Sequence, residues 1–252
     1  MVRGCIVPHA PALLLVRGYP EVVECGQRIR SAISTAVEAE CELLIVVSPH
    51  SRSSGVYTAG AGSLDGFGMI GFDAAVPVAK EVTAELAVRW KRPTLEGTLD
   101  HGVVVPWLLA RIGVPVVAVG IREITGPGAG RIEEAVLDAR TLAGALERTL
   151  SGHRALVMIS AHTSAALSAR APLLDRPDGH RLDESVRAAL ESDIGRLAFI
   201  SPELWLSSGS CGAGPLAAAG HLWGGRRARI LAYGRPAGVG YLVAQVPADE
   251  QA

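Results

Sequence analysis

The 252-residue sequence is poor in aromatic residues and carries no marked excess of either charge. Phe, Trp and Tyr make up 4% of the chain, which argues against a stacking platform for single-stranded nucleic acid. The formal net charge is -1, so no basic face is indicated for DNA, RNA or an anionic membrane. We therefore expect neither a nucleic-acid partner nor a membrane partner.

Long hydrophobic runs and paired cysteines are also missing. No apolar stretch is long and unbroken enough to span a bilayer, and the first residues lack the pattern of a secretory signal peptide. The chain has four widely spaced cysteines and no CxxC pair; they are Cys5, Cys25, Cys41 and Cys211. We expect free thiols in a reducing cytoplasm rather than a disulfide framework.

Hydrophobic residues, in contrast, make up 49% of the chain, which is enough for a sizeable core. Strand-like runs alternate with amphipathic helical patterns. The predicted strands are 4–7, 42–47, 114–120, 155–160, 228–233 and 240–246, and the predicted helices are 20–40, 76–90, 133–151 and 182–194. This alternation predicts a single α/β domain over residues 1–247, with a central mostly parallel or mixed sheet flanked by helices. Residues 248–252 are expected to form a frayed tail.

Segments rich in Gly, Pro and charge separate these elements. We predict loops at 59–72, which follows a short edge strand, and at 121–132 and 168–180. The chain shows no internal repeat and no clear linker, in agreement with one domain.

Three histidines stand immediately after predicted strands. His9 follows GCIVP, His50 follows LLIVVSP, and His162 follows ALVMISA. A proline cannot donate to a sheet ladder, so Pro49 is expected to end its strand. Ligands of open α/β sheets bind in the crevice outside the carboxyl ends of the strands. We therefore expect the three imidazoles to open onto one crevice, although each alone could be an ordinary loop residue.

A fourth histidine, His101, precedes a predicted helix. Asp100 or the residue beside it is a suitable N-cap for a helix that starts near Val103, with Pro106 in its first turn. His101 would then lie in the loop at the helix N-terminus, where the dipole disfavours an imidazolium. We expect a neutral imidazole there, and we assign no function to His153, His180 or His221.

Neutral imidazoles that converge on a crevice suggest a metal site. Two histidines rarely complete such a site, and the C-terminal third offers Glu203 and Cys211 as an anionic third ligand. Glu203 could equally be a first-turn carboxylate of a helix that starts at "SPEL", and Cys211 could be a small buried residue. We favour Cys211, because Gly212 and Gly214 let the backbone approach a crowded site closely.

Several ordered motifs resemble the class III extradiol dioxygenase (LigB-like) superfamily, which includes the Memo proteins. These motifs span most of the chain and are VPHAP, VVSPHS, LDHGVVVPWLL, VPVVAVGI, VMISAHTSAALSARAP, GHRLDESV, SGSCGAGPLAAAGHL and LAYGRPAGVGYLVA. The last two are more similar to the Memo-like branch than to the ring-cleaving enzymes.

The resemblance implies roles for individual residues. His9 and His50 match the metal histidines, and His101 matches an active-site histidine that faces the substrate. Cys211 matches the third ligand of the Memo branch, where ring-cleaving relatives usually have a carboxylate. The implied metal is Fe(II), with Zn(II) or copper as alternatives, because a thiolate makes the site softer.

One position departs from the ring-cleaving pattern. Ala165 stands where those relatives carry a catalytic histidine, so either His162 takes over this role from three residues upstream or the role is lost. We retain His101 and His162 as the catalytic candidates.

Two main functions follow from the resemblance. The first is an iron-dependent extradiol dioxygenase that cleaves a small catechol-type aromatic substrate. The alternative is a Memo-like metal-binding protein without ring-cleaving activity, which works with a partner enzyme or in redox-metal handling. A zinc hydrolase in the same crevice is a weaker third reading, and a homo-oligomer is compatible with the sequence.

Overall fold

Ten strands form one large and one small sheet in the computed structural model, which describes residues 2–37, 41–125 and 130–248. The strands are β1 (Arg3–Val7), β2 (Leu43–Ser51), β3 (Gly55–Tyr57), β4 (Ala61–Ser63), β5 (Asp73–Ala75), β6 (Thr94–Leu95), β7 (Val116–Arg122), β8 (Ala155–Ser160), β9 (Arg229–Gly234) and β10 (Tyr241–Val246). The central sheet has eight strands in the order β6-β3-β7-β2-β8-β1-β10-β9, and β4 and β5 form a separate hairpin.

The middle of the large sheet is parallel. Strands β7, β2, β8 and β1 run in the same direction, so their carboxyl ends lie along one edge. Strand β3 pairs antiparallel to β7, and β10 pairs antiparallel to both β1 and β9. The predicted α/β fold with a mostly parallel or mixed central sheet is therefore confirmed.

Among the described residues, seven α-helices accompany the sheet: α1 (Pro20–Val37), α2 (Lys80–Trp90), α3 (His101–Ala110), α4 (Ile132–Thr149), α5 (Pro177–Ser192), α6 (Pro202–Ser207) and α7 (Ala213–Leu222). Successive side chains of a strand point to opposite faces. Accordingly, Leu44 and Val46 of β2 join one core with α1 and α3, whereas Ile45 and Val47 join another with α4 and α7. In the described part of the chain, no helix is both long enough and apolar enough to cross a membrane.

The sequence predicted that strand β2 ends at Pro49. In the structure it continues through His50 to Ser51. The ladder between β2 and β7 changes register between Ser48 and Ser51. The missing N–H of Pro49 therefore falls on an irregular part of the ladder, where no regular hydrogen bond is lost.

Helix boundaries also differ from the prediction. Helix α2 begins at Lys80 because Val78 is still extended and bridges Val116. Helix α5 begins at Pro177, where a proline at the first helical positions needs no N–H partner. Residues 177–180 are therefore helical rather than part of a loop.

Helix α3 begins at His101 itself, so His101 is its first residue and not a loop residue. Asp100 is the N-cap, as predicted, and its side chain accepts from the N–H of Gly102. Pro106 consequently lies inside the helix and not in its first turn.

Two of the predicted loops contain strand residues. The segment 59–72 includes strand β4, and the segment 121–132 begins with the last two residues of β7. Residues 126–129 of that loop, residues 38–40 at the end of the first predicted helix, and residues 249–252 of the predicted tail lie outside the described residues.

Candidate metal centre

Three predicted strand-end histidines meet at the carboxyl edge of the parallel strands. His9 lies two residues beyond β1, His50 is the penultimate residue of β2, and His162 lies two residues beyond β8. The Nε2 atoms of His9 and His50 are 3.1 Å apart. The ring centroids of His9 and His162 are 5.5 Å apart, so the three imidazoles lie close together.

Cys211 joins this group from the loop between α6 and α7. Its Sγ is 3.4 Å from His9 Nε2 and 3.4 Å from His162 Nδ1. A Cβ on Gly212 would lie 3.0 Å from the carbonyl oxygen of His162, and a Cβ on Gly214 would lie 2.6 Å from Ile121 Cγ2. These glycines therefore permit the close approach that the sequence suggested.

His9, His50 and Cys211 form a cluster that could hold a metal ion. One ligand atom from each residue lies within 4.8 Å of the others. Typical zinc bond lengths of about 2.0 Å to nitrogen and 2.3 Å to sulfur place tetrahedral ligand atoms about 3.3–3.6 Å apart. The distance of 3.1 Å between the two nitrogens and that of 3.4 Å from Cys211 Sγ to His9 Nε2 are close to these values, and the third pair, His50 and Cys211, lies within 4.8 Å.

Glu203 lies elsewhere. It is an exposed residue in the first turn of α6, the helix that Ser201 caps by accepting from the N–H of Leu204. Within the described residues, the group of potential ligands contains Cys211 and not Glu203. The structure thus brings the cysteine, rather than the carboxylate, to the two histidines.

Two side chains that the sequence analysis missed contact the outer nitrogens of the histidines. Ser160 Oγ is 2.9 Å from His9 Nδ1, and Glu123 Oε1 is 3.1 Å from His50 Nδ1. When Nδ1 carries the proton and donates to these oxygens, the Nε2 lone pairs face the cluster. Partners of this kind orient metal-binding histidines and raise their basicity.

Both residues also stand at the carboxyl ends of parallel strands, but the sequence alone does not single them out. Ser160 ends β8, which lies between β1 and β2, and Glu123 directly follows β7, the other neighbour of β2. The sequence does not reveal which strands are neighbours, and so it did not single out a serine or glutamate among many.

The charges within the cluster are strongly coupled. Burial raises the pKa of the Cys211 thiol, but His162, His9 and His50 outweigh this and hold it well below its usual value. Burial lowers the pKa of His50, but Cys211 and Glu123 more than compensate and raise it to about 10. Burial lowers the pKa of His9 despite the nearby cysteine. The metal-free cluster therefore favours a thiolate beside an imidazolium.

His101 lies beside the cluster. Its ring centroid is 4.1 Å from that of His50 and 5.5 Å from that of His9. Burial, followed by the neighbouring His50 and His9, lowers the pKa of His101 to about 2. The low pKa favours a neutral imidazole, and the ring centroid of Phe67 lies 4.8 Å from that of His101.

Asp100 fixes the position of His101. Its Oδ1 accepts from Ser48 Oγ at 2.5 Å and from the N–H of Gly102 at 2.8 Å, and its Oδ2 accepts from Tyr57 O–H at 2.9 Å. One carboxylate thus connects the start of α3 to strands β2 and β3. This connection holds His101 next to His50.

His162 contacts the cysteine and is not among the three grouped ligands. Its carbonyl oxygen accepts from Ser210 Oγ at 2.9 Å, which joins the loop after β8 to the cysteine loop. Ala165 is buried, and its N–H donates to the carbonyl of Ser208. The remaining histidines lie elsewhere: His153 is near Glu42, His180 pairs with Asp175, and His221 is in the last turn of α7.

The comparisons with known proteins establish the fold alone. No family model and no curated protein matches the chain. The crystal structure of the uncharacterized protein JW3007 from Escherichia coli K12 is similar, with a TM-score of 0.65 and 15% sequence identity. The alignment covers 98% of this chain and 100% of that one. The chain therefore shares the overall architecture of that bacterial protein along its whole length.

Proposed function

We propose that this chain is a Memo-like metal-binding protein of the class III extradiol dioxygenase superfamily, with its metal held by His9, His50 and Cys211. The observation that carries the proposal is the position of Cys211 Sγ, 3.4 Å from His9 Nε2, while Glu203 lies outside the cluster. The sequence motifs favoured ring cleavage first. A thiolate in place of the third carboxylate reverses that order, because thiolates near dioxygen are readily oxidised.

The donor set restricts the metal to ions that accept both nitrogen and sulfur. Fe(II), Zn(II) and Cu(I) all bind imidazole and thiolate, whereas Mg(II) and Ca(II) prefer oxygen. The bound metal would supply Lewis-acid or redox chemistry. Ser160 and Glu123 would keep the Nε2 atoms of His9 and His50 directed at it.

Ring cleavage remains the second candidate, and the position of His101 favours it. Its ring centroid lies 4.1 Å from that of His50, where an imidazole could exchange a proton with a phenolic group of a bound substrate. The substrate would then be a small catechol-type aromatic. His162 could supply a second acid or base, although its Nδ1 faces Cys211.

Metal analysis combined with oxygen uptake tests both functions. The purified protein is assayed for bound iron, zinc and copper, and the loaded protein is then mixed with a panel of catechols in an oxygen electrode. We expect about one metal ion per chain and no catechol-dependent oxygen uptake. Uptake that disappears in His101→Ala at unchanged metal content would favour ring cleavage instead. A protein that takes up none of these metals would contradict both functions.

A further inference from the structure

A glycine-rich hairpin lies beside the metal centre. It comprises β4, β5 and the tip between them, which we call the Phe67 hairpin (residues 61–75). Its base packs against α3: Gly62 bridges Leu99, and a Cβ on Gly62 would lie 2.5 Å from Val104 Cγ2. The hairpin is therefore held close to the helix that begins with His101.

The tip of this hairpin is anchored at its start and apolar at its surface. Leu64 is fully buried and accepts backbone hydrogen bonds from Phe67 and Met69. Gly68 has a φ of +71°, which lets the chain reverse directly after Phe67. Phe67 and Ile70 remain 54% and 86% exposed. The hairpin thus presents two large apolar side chains to solvent.

The Phe67 side chain contacts a residue next to the centre. The Phe67 ring lies 4.8 Å from the His101 ring at an interplanar angle of 60°. His101 in turn lies 4.1 Å from His50. A continuous row of rings therefore leads from a metal ligand to an aromatic surface that is still half accessible.

We infer that Phe67 is a specificity-determining contact for ligands of the metal centre, and that it selects ligands with a flat, unsaturated group beside their metal-binding head. Ligand sites combine a few oriented polar groups with apolar and aromatic walls. Here the metal cluster supplies the polar part, and the exposed portion of Phe67 supplies a wall. This inference rests on the proposed metal site.

The expected selectivity is moderate. Aromatic pairs in offset or edge-to-face geometry strengthen binding about threefold to tenfold beyond the contribution of buried apolar area. A ligand without a ring gains nothing from this wall. Phe67 should therefore change the ratio of affinities for ring-bearing and ringless ligands, and not the affinity for the metal.

Two hydroxamic acids with the same metal-binding head provide the test. Acetohydroxamate and benzohydroxamate are titrated into cobalt-loaded protein, and each dissociation constant is read from the cobalt absorption spectrum. Cobalt content is measured first in every variant. We expect the wild type to prefer benzohydroxamate, and we expect Phe67→Ala to reduce this preference about threefold to tenfold at unchanged cobalt content.

Phe67→Leu keeps an apolar side chain and serves if the alanine variant fails to fold; it should lose most of the same preference. Ile70→Ala, in the same hairpin tip, is the matched control and should keep the wild-type ratio. An unchanged ratio in the Phe67 variants, equal losses in Phe67→Ala and Ile70→Ala, or no hydroxamate binding by cobalt-loaded wild type would overturn the inference alone. Failure of the wild type to take up cobalt would instead overturn the metal site, and the inference with it.

Discussion

Two polar clusters contact neighbouring residues of the loop after β8, and they are built differently. In the Asp183 cluster, formed by Asp183, Thr163, Tyr233 and Arg187, every contact joins a donor to an acceptor. Asp183 accepts from the hydroxyl of Thr163 and, at 2.7 Å, from that of Tyr233. The Arg187 guanidinium lies 3.9 Å from the same carboxylate and stacks over the Tyr233 ring.

In the cluster of His9, His50 and Cys211, by contrast, three potential metal-ligand atoms face one another. His9 Nε2, His50 Nε2 and Cys211 Sγ converge, while Ser160 and Glu123 occupy the outer nitrogens. Such an arrangement needs a shared cation, either a proton or a metal ion, to become favourable. This difference is what we expect if the Asp183 cluster stabilises the fold and the other cluster binds a metal ion.

Substitution of a metal histidine should have the largest effect on binding. We expect His9→Ala and His50→Ala each to abolish stoichiometric metal binding, because two remaining ligands rarely hold an ion. Thermal unfolding of the metal-free variants should resemble that of wild type, since both residues lie at strand ends. The measurement is metal content after dialysis, with His180→Ala, an exposed histidine, as the control. Wild-type metal content in both variants would show that His9 and His50 do not bind the metal.

The Asp183 cluster should respond in the opposite way. Asp183→Ala leaves the hydroxyl of Thr163 without its carboxylate, and we expect a loss of about 3 kcal/mol in the free energy of unfolding. Tyr233→Phe removes one hydrogen bond to the same carboxylate and should cost about 1.5 kcal/mol. Urea denaturation of metal-free protein measures both effects. Metal affinity should stay unchanged in Tyr233→Phe. A large decrease in metal affinity in this variant would contradict the view that the two clusters have separate roles.

Loss of the acidic partner of His50 should weaken, but not abolish, metal binding. Removing such a partner typically lowers metal affinity about tenfold to a hundredfold, so we expect a decrease of this order in Glu123→Ala. Competition with a chromophoric chelator measures the change. Glu134→Ala, which removes an exposed partner of Arg122, is the matched control and should bind metal like wild type.

The four thiols should differ modestly in reactivity. The neighbouring histidines lower the pKa of Cys211, whereas burial raises the pKa of Cys5 to about 12 and also raises the pKa values of Cys25 and Cys41. We expect iodoacetamide to label Cys211 severalfold faster after chelation than with metal bound. Mass spectrometry follows the four cysteines together. Equal Cys211 rates in both states would show that the metal does not engage its sulfur.

The contrast between the clusters also marks what the sequence could predict. The rule that ligand groups follow parallel strands located His9, His50 and His162, because a buried strand followed by a polar residue is visible in the sequence. The spacing of Cys211 before two glycines was equally visible. The predicted start of helix α3 was two residues too late, because the cap at Asp100 does not distinguish a start at His101 from one at Val103.

Residues whose role depends on strand order could not be found in this way. Glu123 approaches His50 because β7 pairs with β2, and Ser160 approaches His9 because β8 pairs with β1. Phe67 lies in a segment that reads as a glycine-rich loop, and its contact with His101 depends on how the hairpin packs on α3. Tertiary contacts of this kind leave no periodic pattern in the sequence.

The central claim is that His9, His50 and Cys211 bind one metal ion together, and the optical spectrum of the cobalt-loaded protein tests it most directly. A thiolate bound to Co(II) gives an intense sulfur-to-metal charge-transfer absorption in the near ultraviolet. We predict one cobalt ion per chain and this absorption in wild type, Cys25→Ser and Glu203→Gln, and its loss in Cys211→Ser together with weaker binding. A fully loaded wild type without the absorption, or an unchanged absorption in Cys211→Ser, would contradict the account.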